Sequence, residues 1–409
     1  MIFSRLTFCA QSLCLIFGGD AACIELRVIT YKNLGVMKTY RVVVVGATGA
    51  VGRELLQLLE ARCFPMRDLR LVASPRSAGN IIDVQGRQWV VEPPSKGVFD
   101  GADVVFLSAG SARSKEYIPW ALESGALVID NSSAFRMAPE VPLVVPEINR
   151  ADLEWHSGLV ANPNCTAAIL AVATWPLHRR AGIRKMIVST YQAASGAGAS
   201  AMRELTEQTE HVIQGRPVRP QVFPHPIAFN LFSHNAPITS NGCNEEENKI
   251  IQEIRKIFHE PRLHIAPTCV RVPVLRAHSA SIVLELEEPL TPEEARYILQ
   301  HAPGIELVDH PEKNHFPMPI EATGRLNVLV GRVRQSAEDP RSLSLFVCGD
   351  QLLKGAAWNA LQIAEELLLK HKEPAIHTRR ASEALETLPR LAELAEEPVL
   401  VDEKEAVPA

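Results

Sequence analysis

The chain has 409 residues, of which 46% are apolar and 22% charged, the composition of a globular protein long enough for two or three domains. Its formal net charge of −5 shows no basic excess, so we expect neither nucleic acid nor a membrane surface as a partner. The eight cysteines lack C-x-x-C spacing, which favours a reducing compartment over a disulfide framework and gives no metal motif.

The two ends of the chain differ in composition from its middle. Leu6–Phe17 is mildly apolar and follows Arg5, which is a weak signal-peptide pattern, but the run is too short to span a bilayer. We favour the interpretation that Met37 starts the folded unit and that residues 1–36 are a disordered leader or a misassigned start. Residues 373–409 are rich in Glu and predict a solvated, charged tail.

A strand, a glycine-rich turn and a helix follow one another at the start of the folded unit. Arg41–Val45 contains four consecutive valines, which is typical of a strand buried on both faces of a parallel sheet. The strand leads into Gly46, Gly49 and Gly52, and then into a helical pattern over Arg53–Glu60. Such glycines let the backbone turn tightly and approach a pyrophosphate, which the helix N-terminus stabilises. The alternative is a tight turn without a ligand. The position of the three glycines directly after the first strand favours dinucleotide binding.

Strand and helix patterns continue to alternate after this turn. Strands are predicted at Leu69–Ala73, Val104–Leu107 and Ala126–Asp130, with a helix at Arg113–Ser124 between the last two. This alternation indicates a doubly wound α/β domain with a largely parallel sheet.

The end of the second strand bears on the choice of cofactor. An acidic residue at this position would bind the ribose 2′-hydroxyl of NAD. The chain instead has Ser74, Arg76 and Ser77, and an arginine with two hydroxyls suits a 2′-phosphate. The sequence therefore predicts NADP, the alternative being a polar loop with one exposed arginine.

Cys165 follows a Pro-Asn turn and precedes an apolar run, so it is predicted to begin a helix that continues to about Arg180. The N–H groups and the positive dipole end at a helix start favour a thiolate, the nucleophilic form. The alternative is a buried cysteine that acts as a small hydrophobic residue. A nucleophilic cysteine beside a dinucleotide site implies aldehyde or acyl chemistry through a thioester.

The second half of the chain mixes strands with few helices, which indicates an α+β domain. Strands are predicted at Lys185–Tyr191, Thr268–Val274, Ser279–Glu285, Leu326–Arg334 and Ser342–Val347, and helices at Glu245–Glu260, Thr291–His301 and Leu352–Leu369. We expect the last helix to return to the first domain. The sequence from Arg271 to His278 offers an anion-binding side chain and an imidazole suited to proton transfer near neutral pH.

Seven motifs, taken in chain order, resemble those of one enzyme family. They are Gly-Ala-Thr-Gly-Ala-Val-Gly (46–52), Asn-Ser-Ser-Ala-Phe-Arg (131–136), Asn-Pro-Asn-Cys-Thr (162–166), Tyr-Gln-Ala-Ala-Ser-Gly-Ala-Gly (191–198), Asn-Glu-Glu-Glu-Asn-Lys (244–249), Arg-Val-Pro-Val-Leu-Arg-Ala-His (271–278) and Asp-Gln-Leu-Leu-Lys-Gly-Ala-Ala (350–357). The chain from about 38 to 372 resembles aspartate-β-semialdehyde dehydrogenase.

The resemblance implies two domains. The first is a Rossmann-type NADP-binding domain formed by 37–164 with 350–372. The second, 165–349, is an α+β catalytic and dimerisation domain of the glyceraldehyde-3-phosphate-dehydrogenase-like kind. Antiparallel strands in the second domain are suited to a homodimer or a dimer of dimers. Access to NADPH and to an unstable acyl phosphate favours the cytoplasm.

The resemblance assigns a function to individual residues of the site. Cys165 matches the nucleophile, His278 the acid–base group, and Gln192 the residue that orients the substrate. Those matching the substrate and phosphate site are Arg271 for the α-carboxylate, Arg136 and Lys249 for the phosphate, and Glu246 for the substrate amine or the binding network. Those matching the cofactor site are Gly46, Thr48, Gly49, Ala50, Val51, Ser74, Arg76, Ser77, Ser195, Gly196 and Gln351. Without the resemblance, Glu246 and Lys249 would be interpreted as an ordinary i,i+3 helix pair.

The implied reaction is the reversible, NADPH-dependent reductive dephosphorylation of L-aspartyl-4-phosphate to L-aspartate-4-semialdehyde, in the biosynthesis of lysine (through diaminopimelate), threonine and methionine. Inorganic phosphate is the second product. Two alternatives stay open at this point: N-acetyl-γ-glutamyl-phosphate reductase, and a non-catalytic NADP-binding protein of the same fold.

Overall fold

The computed structural model describes residues 38–369, so the predicted leader (1–36) and tail (373–409) lie outside the described residues. Every described helix and strand lies within residues 40–368. The helices are α1 (Ala50–Ala61), α2 (Ser111–Glu123), α3 (Pro146–Asn149), α4 (Cys165–Ala181), α5 (Ala199–Ile213), α6 (Glu245–Phe258), α7 (Pro292–His301), α8 (Pro319–Ala322) and α9 (Trp358–Leu368).

The first sheet is built from the N-terminal strands. They are β1 (Tyr40–Val45), β2 (Met66–Val72), β3 (Ile81–Val84), β4 (Arg87–Glu92), β5 (Val104–Leu107), β6 (Leu127–Asp130) and β7 (Leu159–Ala161), in the spatial order β3-β4-β2-β1-β5-β6-β7. All neighbouring strands are parallel except β3 and β4, which form an antiparallel hairpin. The four valines of β1 are fully or almost fully buried, as a central parallel strand requires.

The second sheet is mixed and follows the cysteine-bearing helix. Its strands are β8 (Ile183–Gln192), β9 (Phe232–Ser233), β10 (His264–Arg271), β11 (His278–Leu286), β12 (Ile305–Leu307), β13 (Val328–Gln335) and β14 (Ser342–Gly349), in the order β12-β13-β14-β11-β8-β10-β9. Helices α4, α6 and α7 cover one face of this sheet, where Met186 and Val188 of β8 join the main apolar core. A Rossmann-type sheet followed by an α+β domain confirms the predicted fold class.

The chain then returns to the first sheet. Leu353–Ala357 forms a single π-helical turn, and α9 continues directly from it. Leu361 and Ile363 of α9 lie in the same core as Val42 and Val44 of β1. The predicted continuous helix over Leu352–Leu369 is therefore wrong in its first turn, which is wider than an α-helix.

Three other elements differ from the predictions. The strand expected at Thr268–Val274 begins and ends earlier, at His264–Arg271, because Pro273 has no N–H with which to continue the ladder. The β3–β4 hairpin and helix α5 had no predicted counterpart.

Helix α5 turns a polar face inward. Its buried Glu204 accepts hydrogen bonds from the backbone N–H groups of Gln221 and Val222, and Gln208 Oε1 accepts from Ile227 N at 2.8 Å. These side chains fasten the loop that follows α5, whose Phe223 packs in a small apolar cluster with the helix.

Candidate active site

Cys165 is the first residue of α4, as predicted, and the residue before it caps the helix. Asn164 Oδ1 accepts from the backbone N–H groups of Thr166 at 3.0 Å and Ala167 at 3.1 Å. Such a cap satisfies donors that have no partner within the helix. Because α4 is buried along most of its length, the cap fixes where the thiol emerges.

Two carboxylates of α6 hold this turn from outside. Glu246 Oε1 accepts from Asn164 Nδ2 at 3.0 Å and from Gln192 Nε2 at 3.1 Å, and Glu253 Oε2 accepts from the Asn164 N–H at 2.5 Å. Gln192 also donates to Thr166 Oγ1 at 3.0 Å. The predicted Cys165, Gln192 and Glu246 are thus brought together around one helix start.

The ionisation state of the Cys165 thiol differs from the prediction. Burial, and after it the carboxylate of Glu246, raise the pKa of Cys165 to about 11, although Thr166, Arg136 and Arg271 act in the opposite direction. The thiol form therefore predominates at neutral pH in the unliganded protein. The expected preference of a helix start for a thiolate is outweighed here first by burial of the thiol and second by a carboxylate that stands 81 residues further along the chain.

The backbone of a single residue, Ala193, holds two of the predicted side chains. The Ala193 N–H donates to His278 Nδ1 at 3.0 Å, and the Ala193 carbonyl accepts from Arg271 Nη1 at 2.8 Å. Gly196 lies against both, since a Cβ there would be 3.0 Å from His278 Nε2 and 3.1 Å from Arg271 Nη1. Arg271, His278 and Gly196 therefore line one side of the site.

The hydrogen bond from Ala193 defines the tautomer of His278. Because Nδ1 accepts an N–H, the proton of the neutral ring must lie on Nε2. Nε2 is buried and has no hydrogen-bond partner among the described residues. Burial, and after it the charge of Arg271, hold the pKa of His278 well below its ordinary value, so the ring is neutral and presents an N–H donor.

Arg271 is 2% exposed and ends strand β10. Its Nη2 lies 2.7 Å from Nε2 of His234, and its guanidinium lies 5.5 Å from the centroid of the Phe223 ring. Its Nε is a buried donor with no partner among residues 38–369. A rigid, partly satisfied guanidinium of this kind is suited to a planar carboxylate.

The two side chains expected at the phosphate site differ in their surroundings. Arg136 is buried, and it donates to the Asn162 carbonyl at 2.9 Å, to Glu253 Oε1 at 3.0 Å and to the Asn131 carbonyl at 2.8 Å. Lys249 is 32% exposed, with its Nζ 3.9 Å from Glu246 Oε2. One cation is thus fixed by the protein, whereas the other keeps contact with solvent.

The glycine-rich turn adjoins a cavity of about 220 Å³ at the carboxyl ends of β1, β2 and β5. Gly46 has φ +86°, and a Cβ there would lie 2.3 Å from the Ser108 carbonyl oxygen, so only glycine fits. The lining residues include Gly46, Thr48, Gly49, Ser74, Ser108, Ala109, Arg113 and Tyr117. Ala50 and Val51 open α1 beside this cavity, and such a cradle fits a dinucleotide phosphate.

The other residues that the sequence predicts for cofactor binding lie in two separate parts of the structure. Ser77 accepts from Thr48 Oγ1 at 3.4 Å, and Arg76 is exposed in the short 3₁₀ turn Pro75–Ser77. Ser195 accepts from Gln351 Nε2, and Gln351 Oε1 in turn accepts from the Ala277 N–H at 2.9 Å. Ser195 and Gln351 thus belong to the wall that carries His278, away from the adenosine side of the turn.

Several residues of the site had no prediction from the sequence. His234, Asn131 and Arg113 lie in loops or on a polar helix face, where no periodic signal marks them. Glu253 did carry a signal, because it is an acidic residue on the otherwise apolar stripe of α6, seven residues after Glu246.

The fold and this constellation define a class, the semialdehyde dehydrogenases. The NAD-binding domain model of that class, "Semialdehyde dehydrogenase, NAD binding domain", matches residues 41–156, and "Semialdehyde dehydrogenase, dimerisation domain" matches residues 175–354. No helix among residues 38–369 is both long and apolar enough to cross a bilayer.

Individual relatives narrow the class. The chain is 51% identical over 328 residues to aspartate-semialdehyde dehydrogenase of Synechocystis sp., covering 80% of this chain and 97% of the relative, and 50% identical to that of Prochlorococcus marinus, covering 80% and 95%. The crystal structure of aspartate semialdehyde dehydrogenase II from Vibrio cholerae complexed with ASA superposes with a TM-score of 0.80 at 37% identity, covering 82% and 100%. The chain belongs to the aspartate-semialdehyde dehydrogenase family.

Proposed function

We propose that this chain catalyses the reversible reductive dephosphorylation of L-aspartyl-4-phosphate to L-aspartate-4-semialdehyde, with NADPH as reductant and a thioester on Cys165. The observation that carries the proposal is the backbone of Ala193, which holds a carboxylate-binding arginine and a hydrogen-donating imidazole at one site. The Synechocystis and Prochlorococcus relatives carry the same activity in their names, and this favours the aspartyl substrate over N-acetyl-γ-glutamyl phosphate.

In the proposed complex the substrate is held at both ends. Arg271 binds the α-carboxylate through its planar fork, and Glu246 binds the α-ammonium group. Pairing with that ammonium would offset the charge of Glu246, which after burial is the second cause of the raised pKa of Cys165. Gln192, fixed by Thr166 and Glu246, orients the acyl group.

The chemical steps then use groups that are already in place. The Cys165 thiolate attacks the acyl carbon, the C–O bond to phosphate breaks, and Arg136 and Lys249 stabilise the departing phosphate. NADPH, when bound, supplies the hydride that reduces the thioester. As negative charge develops on the acyl oxygen, Nε2–H of His278 donates a hydrogen bond to it. The neutral, Nε2-protonated ring is thus the form from which we propose that His278 acts as the acid–base group. Collapse of the thiohemiacetal anion re-forms the C=O bond, breaks the C–S bond and releases the aldehyde and the Cys165 thiolate.

We propose NADP as the cofactor because Thr48 and Ser74 line the cavity and no acidic residue stands at the end of β2. Exposed Arg76 follows in the next turn, whose Ser77 accepts from Thr48. Gly46, Gly49, Ala50 and Val51 would hold the pyrophosphate, while Ser74 completes the ribose side. Ser195, Gly196 and Gln351 would border the nicotinamide, on the wall that carries His278.

We propose that two copies associate through the uncovered face of the second sheet. Ile187 and Tyr191 of β8 are 40% and 38% exposed there, and Tyr191 lies 6.2 Å from the ring of Phe346 on β14. The dimerisation-domain model covers these strands. We also propose domain boundaries near 164/165 and 349/350, and a cytoplasmic location, where NADPH is supplied.

The test is phosphate-dependent reduction of NADP⁺ with L-aspartate-4-semialdehyde. Cys165→Ser should lower kcat by at least about a thousandfold, because a hydroxyl replaces the nucleophilic thiol. Cys63→Ser, which changes an exposed cysteine on the loop after α1, is the matched control and should leave kcat unchanged. Phosphate-dependent activity in Cys165→Ser at the wild-type rate would refute the proposal.

A further inference from the structure

A lysine outside the proposed substrate and cofactor sites is completely buried. Lys354 is 0% exposed, and its ammonium donates to Glu147 Oε2 at 2.5 Å, to Asn359 Oδ1 at 2.8 Å and to Gln362 Oε1 at 2.7 Å. Three acceptors match the three protons of the ammonium group. Because burial of an ion pair seldom adds stability over an apolar pair of the same size, its presence indicates a positional function.

Lys354 lies in the π-helical turn Leu353–Ala357, and the next residue of that turn packs on the nucleophile. A Cβ on Gly355 would lie 2.7 Å from Cys165 Cβ and 3.0 Å from Cys165 Cα, so only glycine permits this contact. Isolated π turns within helices occur frequently at functional sites. The turn therefore forms a wall of the Cys165 environment.

The partners of Lys354 also reach the segment that precedes Cys165. Asn359 Nδ2 donates to Asn162 Oδ1 at 2.7 Å, and Asn162 Nδ2 donates to the Ala356 carbonyl of the same π turn at 3.4 Å. The Asn162 carbonyl accepts from Arg136 Nε at 2.9 Å. One continuous set of hydrogen bonds thus joins Lys354 to the loop that carries Cys165 and to the arginine proposed for phosphate.

We propose that Lys354, through its ion pair with Glu147, is a positioning residue that presses the Gly355 turn onto Cys165 and thereby fixes the thiol and excludes water from it. Lys354 is not itself in the proposed substrate or cofactor site. The inference rests on the proposed function for its effect on kcat, but its effect on the thiol is independent of the substrate.

The test compares Lys354→Met with Arg62→Met. Arg62, at the end of α1, pairs with Glu365 of α9 and lies 4.8 Å from the centroid of the Trp358 ring. Its substitution therefore removes charged contacts with α9 and leaves the ion pair of Lys354 in place. For both variants we would measure kcat, KM, the melting temperature and the pH dependence of Cys165 alkylation by iodoacetamide, followed on the Cys165 peptide by mass spectrometry.

We expect Lys354→Met to lower kcat about tenfold or more with less than about a threefold change in KM, because positioning of the thiol matters in the transition state. Alkylation of Cys165 should become faster and its midpoint should move to lower pH, since water gains access to the thiol. Faster alkylation with slower catalysis is a combination that loss of stability alone does not produce at temperatures below the transition. Arg62→Met should change the melting temperature alone.

Gly355→Ala decides the matter if Lys354→Met does not fold, because it displaces the turn from Cys165 without removing the ion pair, and it should move alkylation and kcat in the same directions. The inference is overturned if Lys354→Met keeps the wild-type kcat and alkylation of Cys165, or if Gly355→Ala does so where Lys354→Met does not fold. It is also overturned if Arg62→Met changes kcat and alkylation as much as Lys354→Met does. Absence of dehydrogenase activity in the wild type would instead refute the proposed function, and the alkylation profiles would still test the position of the thiol.

Discussion

Replacement of Arg271 by lysine tests the proposed substrate clamp. Arg271 Nη1 is already bonded to the Ala193 carbonyl at 2.8 Å, and Nη2 lies 2.7 Å from His234. Lysine keeps the positive charge but has no planar fork, so it cannot maintain these hydrogen bonds and also bind both oxygens of a carboxylate.

The expected magnitude follows from the hydrogen bond to the substrate carboxylate that lysine cannot make. A hydrogen bond to a charged group contributes about 1.5–3 kcal/mol. Since about 1.4 kcal/mol corresponds to a factor of ten in rate, the loss of one such bond in Arg271→Lys should lower kcat/KM by about ten- to 150-fold.

The assay uses two aldehydes in the oxidative direction, with phosphate and NADP⁺. L-Aspartate-4-semialdehyde carries the α-carboxylate, and 3-aminopropanal is the same molecule without it. The ratio of the two kcat/KM values isolates the clamp, because any disturbance of His278 through Ala193 affects both substrates equally. Arg276→Lys is the control, since this nearby arginine pairs with Glu54 and Asp350 rather than entering the proposed substrate site.

Arg271→Lys should lower the ratio of kcat/KM for L-aspartate-4-semialdehyde to kcat/KM for 3-aminopropanal by about ten- to 150-fold. Arg276→Lys should leave this ratio unchanged. An equal loss on both aldehydes would show that Arg271 acts only through Ala193. Unchanged kcat/KM on both would remove Arg271 from the substrate site altogether.

Three further predictions concern the thiol, the cofactor and the assembly. In the unliganded wild type, the rate of Cys165 alkylation by iodoacetamide should rise with pH towards a midpoint near 11. Glu246→Gln should lower that midpoint by about one pH unit because a neighbouring negative charge is removed, and an unchanged midpoint would contradict this cause. Arg76→Ala should raise the KM for NADP⁺ about tenfold and leave that for NAD⁺ unchanged, as measured by initial rates with each cofactor, whereas equal effects on both would refute 2′-phosphate binding. Ile187→Glu should weaken dimerisation at least about tenfold, because a charge would be buried between two sheets, and sedimentation that still shows the wild-type association would place the interface elsewhere.

The unit formed by β1, the glycine turn and α1 was predictable because its signals are local. Four valines, a glycine turn and a helical pattern fall within twenty-one residues, and each step agrees with the next. Helix α5 escaped prediction because its inward face carries Glu204 and Gln208, which bind loop backbone rather than apolar partners. Only Ala201 and Leu205 are apolar on its buried face, and so short an apolar stripe is a weak sign of a helix.

The candidate active site was likewise predictable from the sequence only in part. The helix start at Cys165 could be predicted from Asn164 and the apolar residues that follow it. The direction in which the thiol's pKa is shifted could not, because burial of the thiol and the approach of Glu246 from another helix both depend on tertiary packing. The contacts of Arg271 with His234 and Ala193 also depend on how distant strands and loops meet. Residue types at a site can therefore be predicted from motifs, whereas their charge states depend on tertiary neighbours.

The polar inner face of α5 has a consequence for how this enzyme could diversify. Glu204 and Gln208 hold the following loop by its peptide N–H groups, and Phe223 and Ile227 of the loop pack against the helix. That loop supplies Phe223, which lies over Arg271. The exposed side chains of residues 214–228 can therefore vary without moving Phe223 away from the proposed carboxylate-binding arginine.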